Sequence, residues 1–376
     1  MNLNTFPHQK IAGFDGIRAL AVVFVVLQHL GVWAQADQPG FVRDKLSLLL
    51  SGGTGVQAFF ILSGFLITIL LIKERQTTGT VSIVNFMIRR SLRIFPLYLL
   101  FCIVATLSFL FSNKNIPWQS LSYAYFYAYN FVSVQNYVAL LGHTWSLAVE
   151  EHFYLVWPFV FAMSFAHGRL RLIIGSIVFI VSSIALHFFL VHLLISEQYF
   201  VARWSFIAGS SIALGCIGAL LVADGADWKF KSRIFSTRTS LALGVVLFAN
   251  SLYISTGSWF IENVVTAHIR SIGLLLIILW IYFNQRSLLV RTLEIRPLSY
   301  LGKISYGIYM WQGFLLSTGP KRLPNELWPP PPHVGLFMLI IIAPLSYRYF
   351  EQPFLKLKDH FIRPTAIKLS TTSIDI

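Results

Sequence analysis

Two ionisable side chains lie on one apolar stretch near the start of the chain. Arg18 and His29 both fall within residues 15–33, which are otherwise mostly apolar. On an α-helix, their separation of eleven residues corresponds to a rise of ~16 Å and brings both side chains to nearly the same face. Ionisable groups inside a membrane helix are costly and therefore mark candidate functional sites. The alternative is that Arg18 anchors the helix at one membrane surface while His29 reaches the other.

A second group of cations precedes a later apolar run. Arg89 and Arg93 are four residues apart and Arg90 and Arg93 are three apart, so the three cluster if this segment is helical. Arginine binds phosphate oxygens through a planar, bidentate set of N–H groups. The three arginines of this segment are therefore candidates for binding phosphate. The alternative is a basic patch that faces lipid headgroups and sets the orientation of the chain.

Two adjacent carboxylates, Glu150 and Glu151, lie about one turn inside the helix predicted over residues 147–165. At a membrane edge such groups need partners, or they take up protons. His29 and these carboxylates fall toward the same end of their helices, so we expect one carboxylate to orient the imidazole. The alternative is an acidic helix start that the helix dipole favours.

Three further residues lie near the ends of apolar runs. Trp145 and Ser146 precede the carboxylates, and Arg203 lies at the start of the run 204–223.

Other polar or small residues are interpreted as structural. Ser63 and Gly64 lie near the middle of an apolar run, where small residues allow two helices to approach closely. Arg348 and Glu351 are three residues apart, so they are expected to pair locally on one helix.

The composition excludes an ordinary soluble protein. Of 376 residues, 56% are hydrophobic and 12% are charged, whereas soluble domains are about a quarter charged. Cys102 and Cys216 lie inside apolar runs, without the spacing of a disulfide pair or a metal site. Since a membrane helix needs ~20 apolar residues, we predict an all-α, polytopic membrane protein with about ten spans. The runs are 15–33, 54–72, 93–112, 147–165, 171–193, 204–223, 238–257, 265–284, 300–319 and 334–350.

The distribution of basic residues predicts the orientation. The net charge is +14, but Lys and Arg lie between the apolar runs rather than on one soluble face, which argues against a nucleic-acid partner. They are enriched in alternate loops, as is typical of cytoplasmic loops. With an even number of spans, both termini are predicted to be cytoplasmic. The predicted parts are a tail over residues 1–10, a membrane domain over 11–355 and a tail over 356–376.

Taken together, these motifs resemble the membrane acyltransferase 3 family. The resemblance extends from about residue 11 to residue 355. One departure is Gln312, where the family often has a histidine, so no proton-transfer role is assigned to it. The matching motifs are Arg18-x10-His29, Phe59-Phe60-x-Leu62-Ser63-Gly64-Phe65, Arg90-x-x-Arg93 with Pro96 and Tyr98, Trp145-Ser146-Leu147-x-Val149-Glu150-Glu151-x-Phe153-Tyr154, Ser305-Tyr306 and Glu351-Gln352-Pro353.

The resemblance implies a membrane O-acyltransferase in a bacterial inner or plasma membrane. Its donor would be acyl-CoA, most often acetyl-CoA, and no metal would be required. Its acceptor would be a hydroxyl of a cell-surface polysaccharide, such as lipopolysaccharide, or of a lipid-linked precursor. The roles would be catalysis by His29 with Glu150 or Glu151, donor binding by Arg18, Arg90 and Arg93, and acceptor binding by Trp145, Ser146 and Arg203.

Three alternatives remain open from the sequence. The acceptor could be a small molecule such as a macrolide, and the reaction could pass through an acetyl-histidine. A protein of another class, a proton-coupled secondary transporter, could use His29, Glu150 and Glu151 as a proton relay. Transporters commonly contain internal repeats, and none is evident here.

Overall fold

The structure, a computed structural model, describes residues 11–31, 49–111, 115–165, 168–194, 197–223, 228–252, 258–316, 330–357 and 361. All regular secondary structure within these ranges is helical, which confirms the all-α prediction. Two π-helical turns, Ile261–Val265 and Tyr347–Glu351, lead directly into α-helices. The α-helices are α1 (Phe14–His29), α2 (Gly52–Thr78), α3 (Ile83–Phe111), α4 (Trp118–Tyr125), α5 (Thr144–Ser164), α6 (Arg169–Leu193), α7 (Gln198–Val201), α8 (Ser205–Val222), α9 (Trp228–Phe235), α10 (Arg238–Phe248), α11 (Thr266–Phe283), α12 (Leu288–Leu293), α13 (Arg296–Lys303), α14 (Ser305–Leu315), α15 (Pro332–Ser346) and α16 (Gln352–Leu357).

Six helical stretches of the described chain are long and apolar enough to cross a membrane, judged by length and composition. They are α2, α3, α6, α8, α11 and the stretch Pro332–Leu357, in which α15, the second π turn and α16 are continuous. The chain is therefore a multi-pass membrane protein.

The other four predicted runs form helices that are shorter or more polar. α1 has 16 residues, and α10 and α14 have 11 each. α5 has 21 residues but carries both carboxylates. The run predicted over 300–319 is interrupted at Ile304, which separates α13 from α14. The number of about ten spans remains a prediction. So does the cytoplasmic placement of both termini, because residues 1–10 and 362–376 lie outside the described ranges.

The centre of the fold is a close contact between α2 and α8. Gly64 of α2 and Gly215 of α8 allow the two backbones to touch. A Cβ atom on Gly64 would overlap the carbonyl oxygen of Ile212, and one on Gly215 would overlap that of Ile61. Small residues promote helix association in membranes in this way, so the packing role predicted for Gly64 is confirmed.

The remaining helices of the site are arranged around this pair. α1 packs against α2 and α13, and α5 packs against α2 and α8. α3 packs against α14 and against the π turn Tyr347–Glu351. Five helices (α1, α2, α3, α5 and α14) thereby converge in the interior, and each brings at least one polar side chain there.

Gly64→Ala and Gly215→Ala are expected to weaken the α2–α8 contact. Each added methyl group would meet backbone atoms, which cannot rotate away as a side chain can, so we expect a cost of about 1–3 kcal/mol. The measurement is the thermal unfolding midpoint of the purified protein in detergent. Gly175→Ala on α6 is the matched control, because nothing lies within 4 Å of the Cβ it would gain. Equal midpoints for the three variants would contradict the close contact.

Candidate active site

A cavity of about 90 Å³ lies where α1, α2, α3, α5 and α14 meet. Its lining combines cations, one carboxylate, hydroxyl groups and aromatic rings, in the interior of a membrane domain. Five of the residues predicted from the sequence line it, namely Arg18, Arg90, Arg93, Ser146 and Glu150. The other polar or aromatic lining residues are Phe59, Phe60, Ser63, Tyr154, Ser305, Tyr306 and Tyr309.

Arg90 and Arg93 reach this cavity from one turn of α3. The Arg90 guanidinium lies 4.9 Å from the centre of the Tyr154 ring and 5.6 Å from that of Phe86. Such positions over aromatic faces stabilise a cation while leaving its N–H groups available. Neither Arg90 nor Arg93 donates a hydrogen bond to any residue that the structure describes. Their donor groups are therefore available to an anionic ligand.

Arg89, the third arginine of this segment, belongs to a different contact. It forms a salt bridge of 3.0 Å with Glu74 of α2 and donates a hydrogen bond to the carbonyl oxygen of Phe361. Helical spacing alone could not distinguish the three arginines, whereas the motif Arg90-x-x-Arg93 selects two of them. The structure separates Arg90 and Arg93, which line the cavity, from Arg89, which does not.

Arg18 enters the same cavity from the first turns of α1. Its guanidinium forms a salt bridge of 3.3 Å with Asp15, one turn earlier on the same helix. It is also close enough to Arg90 and Arg93 for the three charges to act on one another. Arg18 thus pairs with Asp15 and also borders the cavity.

Glu150 occupies a position that the sequence did not predict. Its Oε1 accepts a hydrogen bond of 3.0 Å from Ser63, and its Oε2 accepts one of 3.0 Å from Tyr154. Six residues separate Glu150 from Thr144, the first residue of α5, which is a depth of ~9 Å along the helix. The carboxylate is therefore deeper than expected and lies among the arginines.

Both carboxylates contact groups other than His29. Glu150 is engaged by Ser63 and Tyr154, and the Oε1 atom of Glu151 is buried without a hydrogen-bond partner among the described residues. Glu151 interacts electrostatically with Glu150 and Arg90 and does not line the cavity. The orientation of the imidazole by Glu150 or Glu151 therefore stays a prediction.

His29 lies at the last residue of α1, away from the lining of the cavity. It is close enough to His143, just before α5, for the two imidazoles to interact electrostatically. The His143 ring is buried, 4.9 Å from the ring centre of Phe101 and in close contact with Gly313 of α14. Two imidazoles thus approach each other at this end of the helices, and sequence reasoning assigned a role to only one.

Trp145, Ser146 and Arg203 are divided between two places. The hydroxyl oxygens of Ser146 and Tyr309 are 2.5 Å apart, and both residues line the cavity. Arg203 instead lies among the rings of Tyr137, Trp145 and Phe200, at distances of 5.0–5.8 Å from their centres. One of its terminal nitrogens is buried without a hydrogen-bond partner among the described residues.

Several residues of the site were missed or interpreted as structural. Ser63 was assigned to packing together with Gly64, but only Gly64 has that role, because Ser63 binds Glu150. Tyr154 lies four residues after Glu150, so helical spacing could have identified it. Glu351 was expected to pair with Arg348. It is instead buried against Gly307 of α14, near Arg93.

A larger cavity does not share this chemistry. Its volume is about 600 Å³, and it lies between α5, α6 and α8 with mostly apolar walls. Of the residues predicted from the sequence to act in catalysis or binding, none lines it. The described residues contain no group of three or more His, Cys, Asp or Glu side chains that could hold a metal ion.

The fold and the site together define a multi-pass helical membrane protein with a buried, arginine-lined cavity. A family model described as an acyltransferase domain matches residues 11–347. The chain therefore belongs to the acyltransferase 3 family, as its motifs indicated.

Curated relatives with known names are similar over most of this chain. The O-acetyltransferases OatA of Staphylococcus aureus strains NCTC 8325, COL and MRSA252 are each 29% identical to it over 379 residues. The matches cover 93% of this chain but only 58% of each relative. The chain thus spans little more than half the length of these proteins. No solved structure matches.

Removal of the Ser63 hydroxyl is expected to destabilise the protein through Glu150. Ser63→Ala would leave a carboxylate oxygen without its donor in the interior, at a cost of about 1–3 kcal/mol. The measurement is the thermal unfolding midpoint in detergent. Ser176→Ala is the matched control, because that buried hydroxyl bonds only to its own helix, at the carbonyl oxygen of Leu172. In a Glu150→Gln background the buried group is neutral, so Ser63→Ala should lower the unfolding midpoint by less. An equal decrease of the midpoint in both backgrounds would contradict the bond between Ser63 and Glu150.

Proposed function

We propose that this protein is an integral-membrane O-acetyltransferase that moves an acetyl group from cytoplasmic acetyl-CoA to a hydroxyl of a cell-surface polysaccharide or of its lipid-linked precursor. The observation that carries the proposal is the cavity in which Arg18, Arg90 and Arg93 meet. Family membership and the name of the O-acetyltransferase relatives support the same reaction class.

The arginines fit the donor because coenzyme A is heavily phosphorylated. Arg90 and Arg93 have N–H groups that no described residue occupies, and guanidinium groups bind phosphate oxygens in pairs. The cavity of about 90 Å³ is smaller than usual ligand pockets, which measure about 300–1,000 Å³. We therefore assign the cavity to a phosphate group rather than to the whole coenzyme, with the pantetheine arm extending from it.

The position of His29 suits the reactive end of such a donor. Arg18 and His29 lie eleven residues apart on α1, a rise of ~16 Å. An extended pantetheine arm has a length of this order, so phosphates at Arg18 would place the thioester near the far end of α1. His29 would there remove the proton of the acceptor hydroxyl.

The proposed reaction is a direct transfer. The acceptor oxygen, deprotonated by His29, forms a bond to the acetyl carbonyl carbon, and the bond from that carbon to sulfur breaks. The coenzyme A thiolate leaves and takes up the proton from the imidazolium. Glu150 is proposed to act on the arginines rather than on His29, and Trp145, Ser146 and Arg203 are proposed to contact the acceptor. No role is assigned to Glu151 beyond its charge near Arg90.

The donor assignment is tested by the double variant Arg90→Lys and Arg93→Lys. Lysine keeps the positive charge, and therefore the orientation of the chain in the membrane, but it cannot form bidentate hydrogen bonds to a phosphate. Loss of the equivalent of one charge-assisted hydrogen bond, about 1.5–3 kcal/mol, should raise the dissociation constant of acetyl-CoA by about 10- to 100-fold. The measurement is equilibrium binding of acetyl-CoA to the purified protein in lipid nanodiscs.

Arg89→Lys is the matched control for that measurement. It lies in the same turn of α3 but pairs with Glu74 outside the cavity, so acetyl-CoA binding should not change. An unchanged dissociation constant in the Arg90/Arg93 double variant would place the coenzyme elsewhere.

The general-base assignment is tested by His29→Ala. The variant should insert and bind acetyl-CoA normally but fail to transfer labelled acetyl groups to the polysaccharide fraction of membrane vesicles. His192→Ala is the control histidine, because that exposed ring bonds to the carbonyl oxygen of Phe188 on its own helix. Wild-type transfer by inserted His29→Ala protein would exclude the assignment.

A further inference from the structure

Three guanidinium groups border one small cavity, which concentrates positive charge in the interior of the protein. Arg18 is close enough to Arg90 and Arg93 for repulsion among the three charges. Charges in a membrane interior persist only when they are compensated by opposite charges or polar partners. Before any ligand binds, each arginine therefore requires a compensating group from the protein itself.

Two of the three arginines have carboxylates that are already described. Arg18 forms a direct salt bridge with Asp15. Arg90 interacts electrostatically with Glu150, which Ser63 and Tyr154 hold in place. Arg93 interacts with Glu150 as well, but that carboxylate is shared. Glu151 also interacts with Arg90, so Arg93 is the arginine for which no carboxylate of its own has yet been named.

Glu351 provides this charge. Its side chain is only 7% exposed, and its Oε1 atom has no hydrogen-bond partner among the described residues. Arg93 is the charged group that interacts with it. A buried carboxylate oxygen without a partner is uncommon and points to a functional requirement.

The backbone around Glu351 explains why it lies beside Gly307 of α14 instead of pairing with Arg348. Tyr347–Glu351 forms a π turn, in which hydrogen bonds run between residues five apart. In this wider turn, residues three apart, such as Arg348 and Glu351, no longer lie on the same face of the helix as they would in an α-helix. Arg348 accordingly lies over the ring of Tyr349 at 5.5 Å.

The wall between Glu351 and the cavity is formed by α14. A Cβ atom on Gly307 would lie 2.7 Å from Oε1 of Glu351, so a larger residue here would displace the carboxylate. The preceding residue, Tyr306, lines the cavity and donates a hydrogen bond of 2.7 Å to the carbonyl oxygen of Ile94, next to Arg93. The π turn, α14 and the Arg93 turn of α3 therefore form one connected unit.

We propose that Glu351 is a positioning residue that holds Arg93 toward the cavity for binding of the donor phosphates. Together with Asp15, Glu150 and Glu151, it offsets the charges of Arg18, Arg90 and Arg93. Glu351 acts through Arg93 and does not itself contact the donor. This inference rests on the proposed function, because it assumes that Arg93 binds acetyl-CoA.

Two substitutions perturb the carboxylate in different ways. Glu351→Gln keeps the shape and removes the charge. Gly307→Ala keeps the charge but displaces the carboxylate, and its added methyl group meets only the flexible end of Glu351 within 3.4 Å. Both variants should raise the dissociation constant of acetyl-CoA in nanodiscs by on the order of tenfold, the effect of one charge-assisted contact.

The control and the rescue separate positioning from general stability. Arg348→Gln lies in the same π turn, away from the cavity, and should leave both acetyl-CoA binding and the thermal midpoint unchanged. Glu351→Asp keeps the charge and should recover part of the lost affinity. In the double variant Arg93→Gln/Glu351→Gln, affinity should be no lower than in Arg93→Gln alone, because Glu351 acts through Arg93.

The outcomes distinguish this inference from the proposed function. Unchanged acetyl-CoA binding by Arg93→Gln would overturn the donor role of Arg93 itself. Weaker binding by Arg93→Gln together with normal binding by Glu351→Gln, or with fully additive losses in the double variant, would leave the donor site in place and overturn the role of Glu351.

Discussion

Buried positive charge is the constraint on which the rest of this structure depends. Arg18, Arg90 and Arg93 come from two helices and meet around one cavity inside a membrane domain. Such a group is costly in an apolar interior unless opposite charges and hydrogen bonds surround it. The hydrogen bonds to Glu150, the aromatic faces beside Arg90 and the buried position of Glu351 all serve this compensation.

The chemistry proposed for the protein requires that this compensation be incomplete. Asp15 contacts Arg18 directly, whereas Arg90 and Arg93 are balanced by carboxylates with which they form no salt bridge among the described residues. The carboxylates thus offset the charges of Arg90 and Arg93, while the guanidinium N–H groups stay available to a ligand. A phosphate could then bind without first displacing a tightly held carboxylate.

The sequence predicted those parts of the fold that depend on composition and local spacing. Apolar runs identified the helices, and the cluster of Arg90 and Arg93 identified one wall of the cavity. The break at Ile304 was not predicted, because the run 300–319 was treated as apolar throughout although Gly302 and Lys303 lie directly before the break. The π turn before Glu351 was not predictable either, since it changes which residues share a face without a distinct sequence signal.

The depth of side chains was the main source of error in the site. From their positions along the apolar runs, Glu150 and His29 are expected at a similar depth in the membrane. The helix α5 starts at Thr144, however, and α1 ends at His29, so the two side chains lie in different surroundings. Ser63 was combined with its neighbour Gly64 because both are small. Consecutive residues of a helix point in directions about 100° apart, so one faces α8 and the other faces Glu150.

The glycine contact between α2 and α8 also determines where the cavity can enlarge. These helices touch backbone to backbone at Gly64 and Gly215, where no side chain can rotate to widen the contact. On the opposite wall, the bond from Tyr306 of α14 to the carbonyl oxygen of Ile94 of α3 is made by a side chain. Side-chain contacts can rearrange without a movement of both backbones, so enlargement of the cavity is expected between α3 and α14 rather than between α2 and α8.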